Sequence, residues 1–390
     1  MKRKFNIKVN GESIRSIFLT FILAKLNCNV YVNDFLNDSN SNKDNQTFVF
    51  SNSSKSLLNK FDIWNEIENI SYPFTSLSIN DNLVSEKLLL RSENFSIKYL
   101  NTFGWAANYS DIKRLLISKL INSDNIHFIS ENQLIDENLI FDYEFNFKNY
   151  DKLSKSFKLP ILNFEKIDEQ ILIFNIYLRG HIEKRLYKIN TSKGLLVLTP
   201  LNKNLYQVIW NNASSLIKER SLNSKSFLLD NLTTLLPNEL KIDQIIGDIK
   251  FVDASKTFSN CLIKKKSIYF NENKFKLNNI YDFNFYMIMI NILKIFNFIY
   301  KNEPIIIKIF DKSGFYYLYR KYLEILFNLS FSNSLYSLFT VNNIFSLFIR
   351  KLLFILIKRT NLLKVLFIKN PNNYNISNLI KLEDEFKNIK

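Results

Sequence analysis

Residues 4–34, KFNIKVNGESIRSIFLTFILAKLNCNVYVND, decide the fold. They read as a short strand over 5–9, a tight turn, an amphipathic helix to about Leu26, a second strand over 30–32, and then Asp34. The turn is Gly11-Glu12-Ser13-Ile14-Arg15-Ser16, so a GxGxxG pattern stands here as GxSxxS. Asp34 follows Ser16 by 18 positions and caps the second strand. In a dinucleotide fold such an acid holds a ribose hydroxyl, while the turn brings backbone N–H groups and a helix N-terminus to the pyrophosphate. Gly11, Ser13 and Ser16 are therefore candidates for a phosphate turn, and Asp34 for a ribose ligand. A competing reading makes the small residues a helix start needed only for strand–helix packing; Glu12, which would repel a phosphate, favours it. For Asp34 the alternative is an ordinary strand-end acid, and the preserved spacing leaves both readings open.

A chain of 390 residues can bury a substantial core and holds two or three domains or subdomains. Hydrophobic residues make up 47%, which fits a globular protein. Only 6 glycines and 6 prolines occur, where average usage is roughly 7% glycine. AT-rich coding pressure accounts for the bias, yet it should spare glycines whose backbone conformation or missing side chain is essential. The net charge of +16 suits an anionic partner, nucleic acid or an acidic membrane surface, though any single lysine is most simply a solvated one. Nucleic-acid binding rests on charge alone and is not expected. Cys28 and Cys261 are too few for a disulfide framework, which favours a reducing compartment. The basic start MKRKFNIKVNGES has no long apolar region before a cleavage site, so no signal peptide is expected. His127 and His181 stand apart without carboxylate or cysteine company, so no metal site is expected, and no Ser/His/Asp or Cys/His set is in evidence.

Beyond the first unit an Asn/Ser-rich loop spans 37–45, and a helix starts near Ser51 and reaches Trp64. Strands follow at 74–79 and 87–90, a strand runs into Ala107, and a helix with Asp111 near its start extends to Ile121. Residues 126–129 and 139–145 are further candidate strands. From Gln170 to Trp210 alternation dominates, and the segments ILIFNIYLRG, EKRLYKI, GLLVLTPL and LYQVIW read as neighbouring antiparallel strands. A helix containing LLDNLTTLLP comes next, then strands at 248–252 and 267–270; from Asp282 onward the chain is mostly helical and very apolar. There are no internal repeats.

The order of these elements and several motifs resemble the flavin-dependent aromatic hydroxylases of quinone biosynthesis, of the 2-octaprenylphenol-hydroxylase type. The resemblance runs almost end to end. After the family's glycine-rich turn, its Ala, Leu, Gly, Val and Glu positions hold Thr20, Leu23, Asn27, Val30 and Asp34. Val49-Phe50-Ser51 and Ile63-Trp64 match its next segment, and GWAANYSDIKRLL its flavin-contacting strand and helix start. GLLVLTPLNKNLYQVIW resembles the substrate-domain strands, with Gly194, Pro200 and Trp210 in place; Leu338-Phe339, Arg350 and Lys364 match the helical tail. The stretch KSIYFNENKFKLNNIYDFNFYMIMIN, 266–291, aligns without a gap to the family's Gly-Asp motif, Gly-Gln-Gly turn and following helix. There Gly-Asp is Asn271-Glu272, and Gly-Gln-Gly is Asp282-Phe283-Asn284. The family's Asp binds the flavin ribityl chain, so the resemblance makes Glu272 the corresponding candidate. The middle Asp-Gly motif falls nearest Phe147-Lys148, and the arginines expected near Gln46 and Ser110 are absent.

The resemblance implies an α/β fold: a Rossmann-like flavin domain (1–73, 100–158 and 246–300), an antiparallel substrate-type sheet domain (74–99 and 159–245) and a helical C-terminal segment (301–390). It implies FAD as cofactor, NAD(P)H as reductant, and hydroxylation of a prenylated quinone-precursor ring, chemistry carried by the cofactor and assigning no catalytic side chain here. Nanomolar binding corresponds to about 12 kcal/mol. Each lost charged contact removes roughly 1–3 kcal/mol, so four or five losses leave millimolar binding or weaker. The alternative is thus a non-catalytic lipid- or partner-binding protein on the same scaffold. The basic, aromatic-rich segment 348–369 has no run long and apolar enough to span a bilayer; it reads as an interfacial helix for an anionic membrane surface. A cytoplasmic protein, peripheral on the inner face of a membrane, is expected.

Overall fold

The first predicted strand forms as β1 (Asn6–Asn10), with Ile7 and Val9 wholly buried and Asn6 and Lys8 half-buried. The computed structural model describes residues 4–11, 13–33, 47–94, 102–129, 140–148, 169–180, 183–213, 225–253, 261–264, 267–271, 338–339, 343–360 and 364. After β1 come α1 (Ile14–Lys25), β2 (Asn29–Asn33), β3 (Thr47–Phe50), α2 (Asn52–Lys60), α3 (Trp64–Asn69), β4 (Tyr72–Phe74), β5 (Ser76–Asp81) and β6 (Glu86–Arg91). They are followed by β7 (Gly104–Asn108), α4 (Tyr109–Ile121), β8 (Ile126–Ile129), β9 (Tyr143–Lys148), β10 (Glu169–Arg179), β11 (Arg185–Thr191), β12 (Gly194–Pro200) and β13 (Leu205–Ala213). The last described elements are α5 (Lys225–Leu235), β14 (Lys241–Asp253), β15 (Cys261–Lys264), β16 (Ser267–Asn271) and α6 (Ile344–Arg359).

Three sheets result. In the first, β16, β9, β1, β2 and β8 run parallel in that order, and β15 joins the β16 edge antiparallel. Helices α1 and α4 pack together beside it. Ile7, Val9, Ile17, Phe18, Ile22, Val30, Leu116 and Phe145 belong to its core. Helix α1 is capped by Leu26, and Asn27 follows at φ +68°, a left-handed position that asparagine tolerates better than most side chains. The second sheet has the order β14-β10-β13-β12-β11-β5-β6, antiparallel throughout except where β5 pairs parallel with β11. Helix α5 covers one of its faces, setting Leu228 and Leu232 against Leu172, Phe174, Tyr206 and Trp210. The opposite face packs Ile79, Leu186 and Val197 with Val49, Phe74 and Ala106 of the small β3-β7-β4 sheet and with Phe354 of α6.

This is the α/β architecture expected, with a Rossmann-like layer, an antiparallel sheet and a helical C-terminal piece. Helix α6 is fastened by a buried ion pair. Arg350 Nη1 lies 3.5 Å from Asp81 Oδ2, and both side chains are fully shielded from solvent. Arg350 Nε donates to the Leu338 carbonyl at 2.6 Å, while Asp81 accepts from Asn190 Nδ2 and from the Leu83 N–H, each at 3.0 Å.

Several local expectations differ from the structure. The helix from Ser51 to Trp64 is two helices, because Asp62 takes φ +56° between α2 and α3. The strand at 74–79 is β4 and β5, which serve different sheets. Although β10 to β13 are all strands, β10 pairs with β13 and β14 and not with β11, whose outer neighbour is β5.

Candidate functional site

The turn between β1 and α1 sits at the C-terminal edge of the parallel sheet, where ligands bind in open α/β folds. Gly11 has φ +132°, and a Cβ there would lie 2.7 Å from both the Cβ and the carbonyl oxygen of Phe147. A side chain there would have to push the turn away from Phe147 in a backbone conformation that L residues rarely adopt, so the position calls for glycine. Its N–H donates to the Asn33 carbonyl at 3.4 Å, tying the turn to β2. Phe147, nearest to the register of the middle Asp-Gly motif, is a buried wall beneath the turn.

Ser13 and Ser16 are both buried and both bond within the turn. Ser13 is the N-cap of α1; its hydroxyl accepts from the Ser16 N–H at 3.2 Å, as serine commonly does there. The Ser16 hydroxyl reaches the carbonyls of Gly11 at 2.9 Å and Ser13 at 2.7 Å. A second acceptor comes from far along the chain: the Ile14 N–H donates to the Tyr109 hydroxyl at 3.2 Å. Two amides of the first helical turn, those that a bound phosphate would use, thus carry oxygen acceptors from the protein itself. Beside them Asn10 donates to Asn146 Oδ1 at 2.6 Å, and Asn10 Oδ1 is a buried acceptor with no partner among the described residues.

The structure therefore brings together Gly11, Ser13 and Ser16. Asp34 and Glu272 lie outside the described residues, directly after β2 and β16, as do His181 and 282–284. His127 is exposed on β8 with its ring 4.9 Å from that of Tyr31, and no group of metal-binding side chains occurs among the described residues. Burial pushes the Cys28 thiol up to about 12, with Asp142 adding to the effect, so this cysteine is a packing residue. Sequence reading missed Tyr109 and Asn146. Their contacts join residues 95 and 136 positions apart, and nothing in either local pattern signals them.

No family model matches the chain, and no curated protein matches it. Solved structures do, and they give it the fold of the FAD-dependent monooxygenases. PqsL from Pseudomonas aeruginosa, a probable FAD-dependent monooxygenase, is similar at a TM-score of 0.52 and 11% identity over 68% of this chain and 78% of its own. A tryptophan halogenase from Shewanella frigidimarina is similar at a TM-score of 0.50 and 11% identity, over 69% of this chain and 66% of its own. At such identities the likeness is one of fold.

Proposed function

We propose that this chain descends from flavin-dependent aromatic hydroxylases of quinone biosynthesis and keeps their scaffold with FAD binding weakened or lost. It acts as a non-catalytic protein that holds a prenylated aromatic ring or quinone precursor at a membrane surface. The observation that carries this reading is the closure of the phosphate turn: Ser13 Oγ and Tyr109 Oη already accept from the Ser16 and Ile14 amides. The turn as folded does not fit a pyrophosphate, because an incoming oxygen must first displace both. Two charge-assisted hydrogen bonds forgone, each about 1.5–3 kcal/mol, weaken a nanomolar cofactor to about micromolar. The ring class rests on the whole-chain resemblance. The membrane surface rests on α6, which turns Ile344, Phe345, Phe348, Leu352 and Leu356 outward beside the exposed Lys351 and Arg359. No helix among the described residues is long and apolar enough to cross a membrane.

Absorption of the purified protein tests the flavin half. The expected result is a colourless protein whose FAD affinity is micromolar or weaker, and which tightens when Ser13→Gly and Tyr109→Phe free the two amides. Stoichiometric flavin in the protein as isolated refutes it. An active FAD- and NAD(P)H-dependent monooxygenase is the second reading, favoured by the retained Gly11. Flavin-dependent NAD(P)H oxidation accelerated by an aromatic substrate would establish it. Sedimentation with phosphatidylglycerol against phosphatidylcholine vesicles tests the membrane half; binding to neither removes it.

A further inference from the structure

Helix α6 has two unlike sides. With about 100° of turn per residue, the buried Ser346, Arg350 and Phe354 share one side, and Phe345, Phe348, Leu352 and Arg359 lie nearly opposite. Phe345 is 71% exposed, Phe348 62% and Leu352 42%, a contiguous apolar patch of the kind that marks an interaction surface. Leu347 and Leu353, on the two flanks, are half-buried. The helix carries Arg350, Lys351, Lys358 and Arg359 and no acidic residue, so its outer side suits an anionic surface and disfavours a second copy of itself. At 16 residues it is about 24 Å long, short of the roughly 30 Å hydrocarbon core of a bilayer, so it can lie along a membrane but not cross it.

Burial alone does not set the roll of such a helix. Hydrophobic contact is non-directional, so Phe354 and Ile357 would stay on the sheet through a modest rotation of α6. The guanidinium of Arg350 tolerates no such rotation. Its Nη1 lies 3.5 Å from Asp81 Oδ2, its Nε donates to the Leu338 carbonyl at 2.6 Å, and both charged side chains are fully shielded from solvent. The carboxylate is itself held at the end of β5 by Asn190 Nδ2 and the Leu83 N–H, and Asn190 pairs with Asp81 in the β5–β11 register. Rolling α6 in either sense draws Arg350 off this fixed carboxylate and strands a buried charge. Buried ion pairs add little net stability but impose one geometry, the use for which they are best attested. About two turns further along, Lys358 pairs with Glu86 of β6 and gives the helix a second ionic fastening.

We propose that the Asp81–Arg350 pair is a positioning device for docking on an anionic membrane: it holds α6 in the one roll that points Phe345, Phe348 and Leu352 at the lipid. The helix then meets the bilayer already folded and presents the seven-stranded sheet to it at a fixed angle. This orientation rests on the membrane reading above and adds to it which side of the helix meets lipid. Trp64, Trp105 and Trp210 are all buried, so a tryptophan placed on α6 reports lipid contact in the full chain. Phe345→Trp, Phe348→Trp and Leu352→Trp sample the outer side, Leu347→Trp and Leu353→Trp the flanks. With phosphatidylglycerol vesicles carrying brominated acyl chains, quenching at the outer positions is expected to exceed that at the flanks by about twofold or more, since an interfacial helix sinks only one face, by about 5–10 Å, into the acyl boundary. Arg350→Met is expected to erase the difference and Arg350→Lys to restore part of it. Arg350→Met with Asp81→Leu removes both charges and keeps α6 on the sheet by burial; the difference should still be missing, which a purely stabilising role of the pair would not produce. Hydrogen exchange over 344–359 should already be slow before vesicles are added. Protection that appears only with vesicles, a quenching difference that survives in the double variant, or a free protein that sediments as a dimer dissolved by Phe348→Glu overturns the proposal. Failure to bind phosphatidylglycerol vesicles removes the membrane reading itself, whereas binding with equal quenching at all five positions removes only the orientation.

Discussion

Replacing Arg350 with methionine is expected to release α6 from the second sheet. The guanidinium and the Asp81 carboxylate are 3.5 Å apart and fully shielded from water. At an effective dielectric of about 20 their attraction is about 5 kcal/mol. Burial pulls the Arg350 pKa down and Asp81 pushes it back up, and the guanidinium also covers the Phe339 ring, 5.6 Å from its centroid. In Arg350→Met the carboxylate keeps the Asn190 and Leu83 hydrogen bonds but loses its counter-charge. A buried charge stranded in this way costs about 3–5 kcal/mol. Among the described residues, α6 is also held by the buried Ser346 and Phe354, the partly buried Ile357 and a Lys358–Glu86 pair. The loss should therefore appear first as local opening of 343–360, faster by about two to three and a half decades in hydrogen exchange. Asp81→Leu alone should be comparably harmful, since it strands Arg350. Arg350→Met with Asp81→Leu should recover much of the loss, because removing both charges of a buried pair is far milder than removing one. If the two single losses simply add in the double variant, or if Arg350→Met speeds exchange less than tenfold, the pair does not fasten the helix.

Two further outcomes follow from the same geometry. Gly11→Ala places a Cβ 2.7 Å from Phe147 at φ +132° and is expected to destabilise by about 3 kcal/mol or more in urea. Gly180→Ala, at φ +98° with nothing within 4 Å, should show only the smaller backbone strain, and equal losses at the two positions would discount the clash. For Lys188, half-buried on β11, burial pulls the folded-state value down to about 8, below the unfolded value of about 10.4, so between them the unfolded chain binds more protons and stability rises with pH. Below about pH 8 the charged amine burdens the fold by about 3 kcal/mol. Lys188→Met should accordingly melt higher than the wild type at neutral pH, and the gap should narrow toward pH ~10. A gap independent of pH removes Lys188 as its source.

The first unit was legible because its signals are local. Alternation at Ile7 and Val9, the small residues of the turn and the apolar helix that follows each constrain only a few neighbours. The break at Asp62 and the division of 74–79 were not legible, since a left-handed aspartate and a strand that changes sheets leave the hydrophobic pattern intact. The site divides similarly. Gly11, Ser13 and Ser16 share one turn, and which way the serine hydroxyls point, inward to the helix and turn, is not written in the local pattern. Tyr109 closes the turn from a separate helix, which no local pattern signals either.

The way the two large sheets share the chain bears on how the protein is made. β1 waits for β9 to pair at Asn10 and Asn146, β9 waits for β16, and β5 waits for β11 at Ser76 and Arg185. Between these events the chain crosses from one sheet to the other and back. Neither sheet can close while the later strands are unsynthesised, and such long-range pairing is slow and exposes strand edges. Half-buried Asn6 and Lys8 in β1 and Lys188 in β11 interrupt the hydrophobic runs that would otherwise invite a wrong partner during that wait. A fragment ending before β9 should lack the means to fold, and co-translational folding should come late, after β16 has emerged.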